Sequence, residues 1–267
     1  EEDGGSLLIR TPLLIRAASG ERPIIRVVRP LRFRPENPEY SENSIVRLEG
    51  LYITVDNEFL SADEPLVGRA ALNRLEIINC TLDPGGHKVL DGSIDGARAP
   101  LQTSIRLREP YGFDSPEEEI AFDQTPEVII HRSVTGSIRM DRGYKLELSD
   151  SVVDAGGSDF SPQNYAICGA DVPEDESVDG DGWGVPVQVI NATVLGRTRV
   201  DQANGRGGLF SGVLTVRNNQ VGCLRNCYFS DDGDRLPHHH SYVLGSEAPV
   251  KFTSITFGEP GYTQLCL

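Results

Sequence analysis

Apolar and polar positions alternate along LEIINCTLDPGG (residues 75–86), and the same order returns along LELSDSVVDAGG (146–157). Leu75 matches Leu146, Ile77 matches Leu148, Cys80 matches Ser151, Leu82 matches Val153 and Asp83 matches Asp154. A period of two is that of a strand with one buried face. The Gly85-Gly86 and Gly156-Gly157 pairs that close the copies supply backbone able to turn with positive φ. The pattern extends along the chain. VRLEGLYI (46–53) superposes on 75–82, and VIIHRSVTG (128–136) superposes on 146–154 at an offset of 18, with Ser133 on Ser151. VQVINATVLG (187–196) follows at an offset of 41, bringing Val187, Val189 and Ala192 into line. A second unit comes next, with GSIRM (136–140) matching GRTRV (196–200). Further strands are predicted at 13–17, 23–28, 104–108, 212–217 and 250–257.

Short strands broken by Gly, Asn and Asp and recurring in one order predict a solenoid, in which stacked turns share a core that no single turn could bury. The expected fold is all-β, a right-handed parallel β-helix with long inserted loops, forming one domain over residues 1–267. A β-sandwich also has regular short strands but does not explain the repeated strand–bend–strand unit. The offset of 18 suits one tight coil, and larger offsets add loops at 36–43, 108–127 and 170–186. Composition agrees: one Met, 28 Gly and 17 Pro in 267 residues argue against a helical bundle. No apolar run reaches the roughly 18 residues that would span a bilayer. The chain opens at Glu1 rather than Met, which points to a trimmed or processed chain.

Charge narrows the partners. Forty acidic side chains against 25 basic give a net charge of -15, which repels phosphate backbones and argues against nucleic acid. The seven Arg of residues 1–34 read as the wet face of strands, whereas 171–181 is almost purely acidic. Residues 171–182 are expected to form a mobile, self-repelling excursion. Asp179 and Asp181, with Gly beside each, are the candidate start of a calcium loop, although no later Glu completes the usual twelve-residue pattern. Trp183 beside them is a candidate platform for a sugar. His238 and His240 of the HHH run are a second metal candidate, because alternate strand positions share a face; Asp231, Asp232 or Asp234 would have to join them, and the run otherwise reads as an exposed loop. Glu76 and Glu147 occupy one repeat position and are the carboxylate pair a glycosidase would need, or else a solvent-facing stripe. Asp83 and Asp154 read as turn residues. Five Cys without paired spacing read as structural thiols, and Cys223-x3-Cys227 lacks the second pair that zinc wants.

LEIINCTLDPGG, LELSDSVVDAGG, GCLRNCYF (222–229) and above all FTSITFGEPGYTQL (252–265) resemble a β-helix segment of large bacterial proteins that accompany contractile, phage-tail-like injection particles. The resemblance covers most of 7–267 and departs at 228–248, where SDDGDRLPHHHSYVLGS stands in place of an Arg- and Pro-rich stretch. It implies a pectin-lyase-like superfold, a segment excised from a longer chain, and a role in an extracellular or virion-like particle among other protein subunits or on a surface polysaccharide. It carries no catalytic residues. The expected function is a non-enzymatic structural or binding module, with no cofactor beyond the calcium candidate. The alternative is a carbohydrate-active enzyme, a polysaccharide lyase or glycoside hydrolase. Such an enzyme should gather acids, a base and aromatics on one face, yet aromatics make up only 7% of the chain.

Overall fold

A computed structural model describes residues 5–56, 64–84, 87–88, 94–95, 103–108, 124–156 and 164–266. Three long parallel sheets run the length of the molecule, with eight strands in sheet A and nine each in sheets B and C. The chain visits them in a fixed cycle. Leu7–Ile9 lies in sheet A, Leu13–Arg16 in B and Ile24–Val27 in C, and the cycle then returns to A at Leu31–Pro35. Each strand pairs with its equivalent one turn later, and this register makes the fold a parallel β-helix. The right-handed sense is that of parallel strands joined by crossovers.

The register reproduces the sequence superpositions. Val128 pairs with Leu146 and Ile130 with Leu148, while on their other side they pair with Leu75 and Ile77. Leu146 and Leu148 pair in turn with Val187 and Val189. Ile138 and Thr198 both pair in the column through Ile167, so GSIRM and GRTRV are equivalent strands of sheet A. Leu75, Leu146, Ile77, Leu148, Leu82 and Val153 all lie in one buried core. Later coils are tighter than the offset of 18 suggested: Val187 pairs with Ala203, and Cys223 with His238. Four of the five further strands predicted are present. At 250–257 the chain instead folds back on itself through bridges of Phe252 with Leu265 and Ser254 with Tyr262. HHH is a strand, His238–His240, and not a loop. The loop at 36–43 holds a single 3-10 turn, Pro38–Tyr40. The expected turn at Gly85-Gly86, Gly157 and the loop residues 109–123 lie outside the described residues.

The corner between sheets B and C explains why the echo exists. One residue per coil adopts positive φ there: Gly50, Asn79, Arg132, Asp150, Asn191, Gly207, Asn226 and Ser241. Gly, Asn and Asp tolerate that conformation best, and they supply six of the eight. The next residue must turn inward at the bend. Cys80, Ser133 and Ser151 stack there, with the Ser133 Oγ accepting from the Cys80 N–H at 3.0 Å and the Ser151 Oγ from the Ser133 N–H at 3.1 Å. Small polar side chains thus satisfy backbone groups that the bend removes from the sheet ladders. The buried Cys80 is a member of this column, as the echo required.

Candidate functional site

The acidic loop leaves sheet A after Tyr165–Cys168 and enters sheet B at Val187–Ile190. It is not the free excursion expected. Arg199, on the next strand of sheet A, is only 2% exposed and reaches into the loop. Its Nε donates to the Asp181 carbonyl at 3.0 Å, Nη1 to Glu176 at 2.9 Å, and Nη2 to Ser177 at 2.6 Å and Asp175 at 3.4 Å. The Trp183 ring lies against the guanidinium, 3.7 Å from centroid to Cζ. Trp183 is therefore buried and stacked on this chain's own cation, not presented to a sugar. Glycine is required where the loop closes, because a Cβ on Gly182 would sit 2.6 Å from Pro173 Cβ.

Side-chain pairs pin the outside of the loop. Arg197 grips Glu176 through two bonds of 2.6 Å, and the Tyr165 hydroxyl donates to the same carboxylate at 3.0 Å. Arg108 grips Asp171 at 2.8 and 2.9 Å. These hydrogen bonds hold both carboxyl groups below their ordinary ranges. Burial, followed by the bond to Glu176, pushes the Tyr165 phenol up to about 12. Self-repulsion failed as a guide because the counter-charges come from strands distant in sequence. Asp181 spends one carboxylate oxygen on the Glu174 N–H, and Asp179 is exposed. Among the described residues no three His, Cys, Asp or Glu side chains converge as metal ligands would.

His238 and His240 do share the outer face of sheet B, with ring centroids 6.0 Å apart. The aspartates do not join them. Asp231 is hydrogen-bonded to Ser246, and Asp234 accepts from the Leu214 and Asp231 N–H groups at 2.6 and 2.8 Å. Burial pushes the Asp234 carboxyl up. Cys223 lies on the outer face beside His238, whereas Cys227 is buried at the corner, so the two thiols face different surroundings. Asp154 has the turn role expected, accepting the Gly156 N–H at 2.9 Å, and also accepts from the Tyr262 hydroxyl at 2.7 Å. Asp83 is a buried acceptor for Tyr52 and Thr54 on the preceding coil, at 3.0 and 2.8 Å.

Glu76 and Glu147 stand in one outward column of sheet B, two coils apart with Ile129 between them. Glu76 is engaged by Arg47 at 3.6 Å and Arg74 at 3.8 Å. From Glu147 the column continues to Gln188 and Asn204. Here lies a groove of about 390 Å³, lined by Lys145, Glu147, Gln188, Gln202, Asn204 and Val221 among others. Neither this groove nor the Arg199 cage is apparent from local spacing. The one available signal was the equivalence of Arg139 and Arg199 in GSIRM and GRTRV, which marks a repeated outward Arg on sheet A.

The two ends of the solenoid differ. At the first coil Leu13, Ile15 and Ile25 are only partly buried, although their partners Val46, Leu48 and Ile53 are fully so. Leu14 and Ile24 beside them are 48% and 63% exposed, and Arg16, Arg22, Arg26 and Arg29 stand exposed around this end. At the last coil the His239 ring meets Phe229 edge-on at 5.7 Å and Tyr242 at 4.8 Å, while Tyr242 and Val243 are each 43% exposed. No family model matches the chain, and no curated protein or solved structure matches it. Geometry and the sequence resemblance therefore carry the functional reading.

Proposed function

We propose that the chain is a non-enzymatic structural or binding module of a larger bacterial assembly of the contractile, phage-tail-like kind, joined to its neighbour at the first coil. The partly buried aliphatic groups of the first coil and the exposed arginines around them carry this reading. Among the described residues the first strand of each long sheet has a neighbour on one side only, and natural proteins cover or blunt such edges. The arginines around the first coil favour a partner coil rimmed with carboxylates. The test is to tag the full-length protein in the bacterium that makes it and compare it with a Leu14→Glu/Ile24→Glu variant. The wild type should sediment with particle subunits at a fixed ratio, and the variant should melt normally yet sediment free. Wild-type protein that sediments alone, or a variant that stays with the particle, would refute the reading.

One observation favours a second reading, the carbohydrate-active enzyme. Glu76 and Glu147, two coils apart, stand roughly 10 Å from one another, close to the span of an inverting carboxylate pair. The arginines on Glu76 oppose this, since they occupy the carboxylate that a glycosidic oxygen would have to reach. Calcium calorimetry bears on the lyase form of the reading. The scaffold reading expects no binding up to millimolar calcium, and micromolar binding lost in Asp179→Ala or Asp181→Ala would put the lyase first.

A further inference from the structure

We infer that the bend between sheets B and C on the late coils is a docking surface for the acidic loop of a second copy of this chain. The inference goes beyond the first-coil reading above and uses a different surface. The strands Ala203–Arg206, Cys223–Arg225 and His238–His240 end sheet B on successive coils, and their last residues pair in one column, Arg206 with Arg225 and Arg225 with His240. All three are exposed. Arg206 and Arg225 have no ion pair or side-chain hydrogen bond among the described residues. Residues 202–230 contain no Asp or Glu, although the chain carries a net charge of -15. The next acids, Asp231, Asp232 and Asp234, follow Tyr228–Phe229 and so stand past sheet C, across it from this bend. Two guanidiniums one coil apart, roughly 4.7–4.9 Å, repel each other until a carboxylate is brought to them.

The acidic loop carries the matching chemistry. Arg108 and Arg197 engage Asp171 and Glu176, Asp175 accepts from Ser177, and Asp181 accepts from the Glu174 N–H. Of the loop's carboxylates this leaves those of Glu174 and Asp179 exposed and unbonded among the described residues. The Arg199 cage already holds the loop in shape, so docking does not have to order it. Val172 and Val178 of the loop are each 42% exposed, and Tyr242, just past the bend, is 43% exposed. Each surface thus sets an apolar group beside charges of one sign, and the two signs are opposite. The loop joins sheet A to sheet B, whereas the bend joins sheet B to sheet C, so sheet B separates them within one copy. A contact between copies is therefore heterologous, leaving a free loop and a free bend on every pair. It is made by side chains, because amides at the bend are bonded coil to coil: Gly207 N–H to Arg225 at 2.9 Å and Asn226 N–H to His240 at 3.3 Å. Net charge opposes association only at long range. At about 0.15 M salt the Debye length is roughly 8 Å, which screens distant charges on two copies but spares an ion pair in contact.

Sedimentation velocity on the intact chain tests this, from micromolar to submillimolar protein in about 0.15 M salt. The mean mass of the wild type should rise with concentration and return to that of the monomer in about 1 M salt, where ion pairs are screened. Two variants each remove one side of the contact, Arg206→Ser/Arg225→Ser and Glu174→Gln/Asp179→Asn. Each should melt as the wild type does, yet associate at least tenfold more weakly alone. Mixed together they should form one-to-one dimers and nothing larger, because each supplies one intact side and ends the chain. The Leu14→Glu/Ile24→Glu variant should associate as the wild type does, so failure of first-coil docking and failure of this contact read out separately. A wild type that stays monomeric throughout, a variant that associates undiminished, or a mixture that stays monomeric would overturn the inference.

Discussion

The guanidinium of Arg199 donates to four backbone carbonyls while lying on the Trp183 ring, so the acidic loop closes around a side chain where a metal-binding loop would close around an ion. A planar fork of donors is what this cage needs, and lysine cannot reproduce it. Arg199→Ala should therefore destabilise the protein by about 1–3 kcal/mol, since it strips four loop carbonyls of their donor and the Trp183 ring of its stacking partner. Arg199→Lys should recover only part of that, measured by urea unfolding alongside proteolysis across 171–182. Acid should loosen the same loop. Glu176 and Asp171 have folded pKa values below their ordinary 4.5 and 3.8. Their contribution is complete above those ordinary values and is lost as pH falls through the lower folded ones. Because Trp183 is the only tryptophan, its fluorescence reports the loop. Emission should stay constant from neutral pH to about 4.5 and shift only below it; a midpoint at or above that value would contradict the ion-pair account. None of this was legible in the acidic run itself, because backbone carbonyl acceptors leave no mark on residue identity.

At the scale of the strand and its bend, the sequence was far more informative. Leu75, Val128, Leu146 and Val187 could be aligned because each coil must bury the same position against its neighbours, so the core repeats in sequence as it does in space. Leu148 is fully buried within that stack. Leu148→Asp should cost about 3–5 kcal/mol, the cost of an uncompensated buried charge, and circular dichroism should show the central coils unfolded. The bend is equally exacting. Asn191 has φ 52°, and its Nδ2 donates to Asp150 Oδ1 of the preceding coil at 3.3 Å. Asn191→Val should lose about 1–2 kcal/mol through left-handed strain, whereas Asn191→Gly should stay within a few tenths. Equal stability of the two variants would contradict a requirement for positive φ. The predicted strand at 250–257 failed because alternation reports a half-buried segment without saying whether a neighbouring strand is there to pair with it. His238–His240 failed in the opposite sense: three histidines show no apolar period, yet their register is set by pairing with Cys223–Arg225.

For the whole molecule, both ends of the solenoid leave apolar groups partly exposed, and the proposed function stands on the aliphatic first coil and the arginines around it. His239 packs on Tyr242 at the last coil, and Leu13, Ile15 and Ile25 of the first coil are only partly buried. Residue types announced the arginines of the first 34 residues, but not that four of them would stand around partly buried aliphatic groups, because that depends on how the strands stack. Hydrogen–deuterium exchange, compared between the isolated chain and the native particle, tests the central claim most directly. In the isolated chain the amides of Leu13–Arg16 and Ile24–Val27 should exchange faster than those of Ile45–Glu49 and Tyr52–Val55. In the particle the first coil should become as protected as the second, with protection elsewhere unchanged. A first coil that exchanges equally fast in both states would contradict docking at this end.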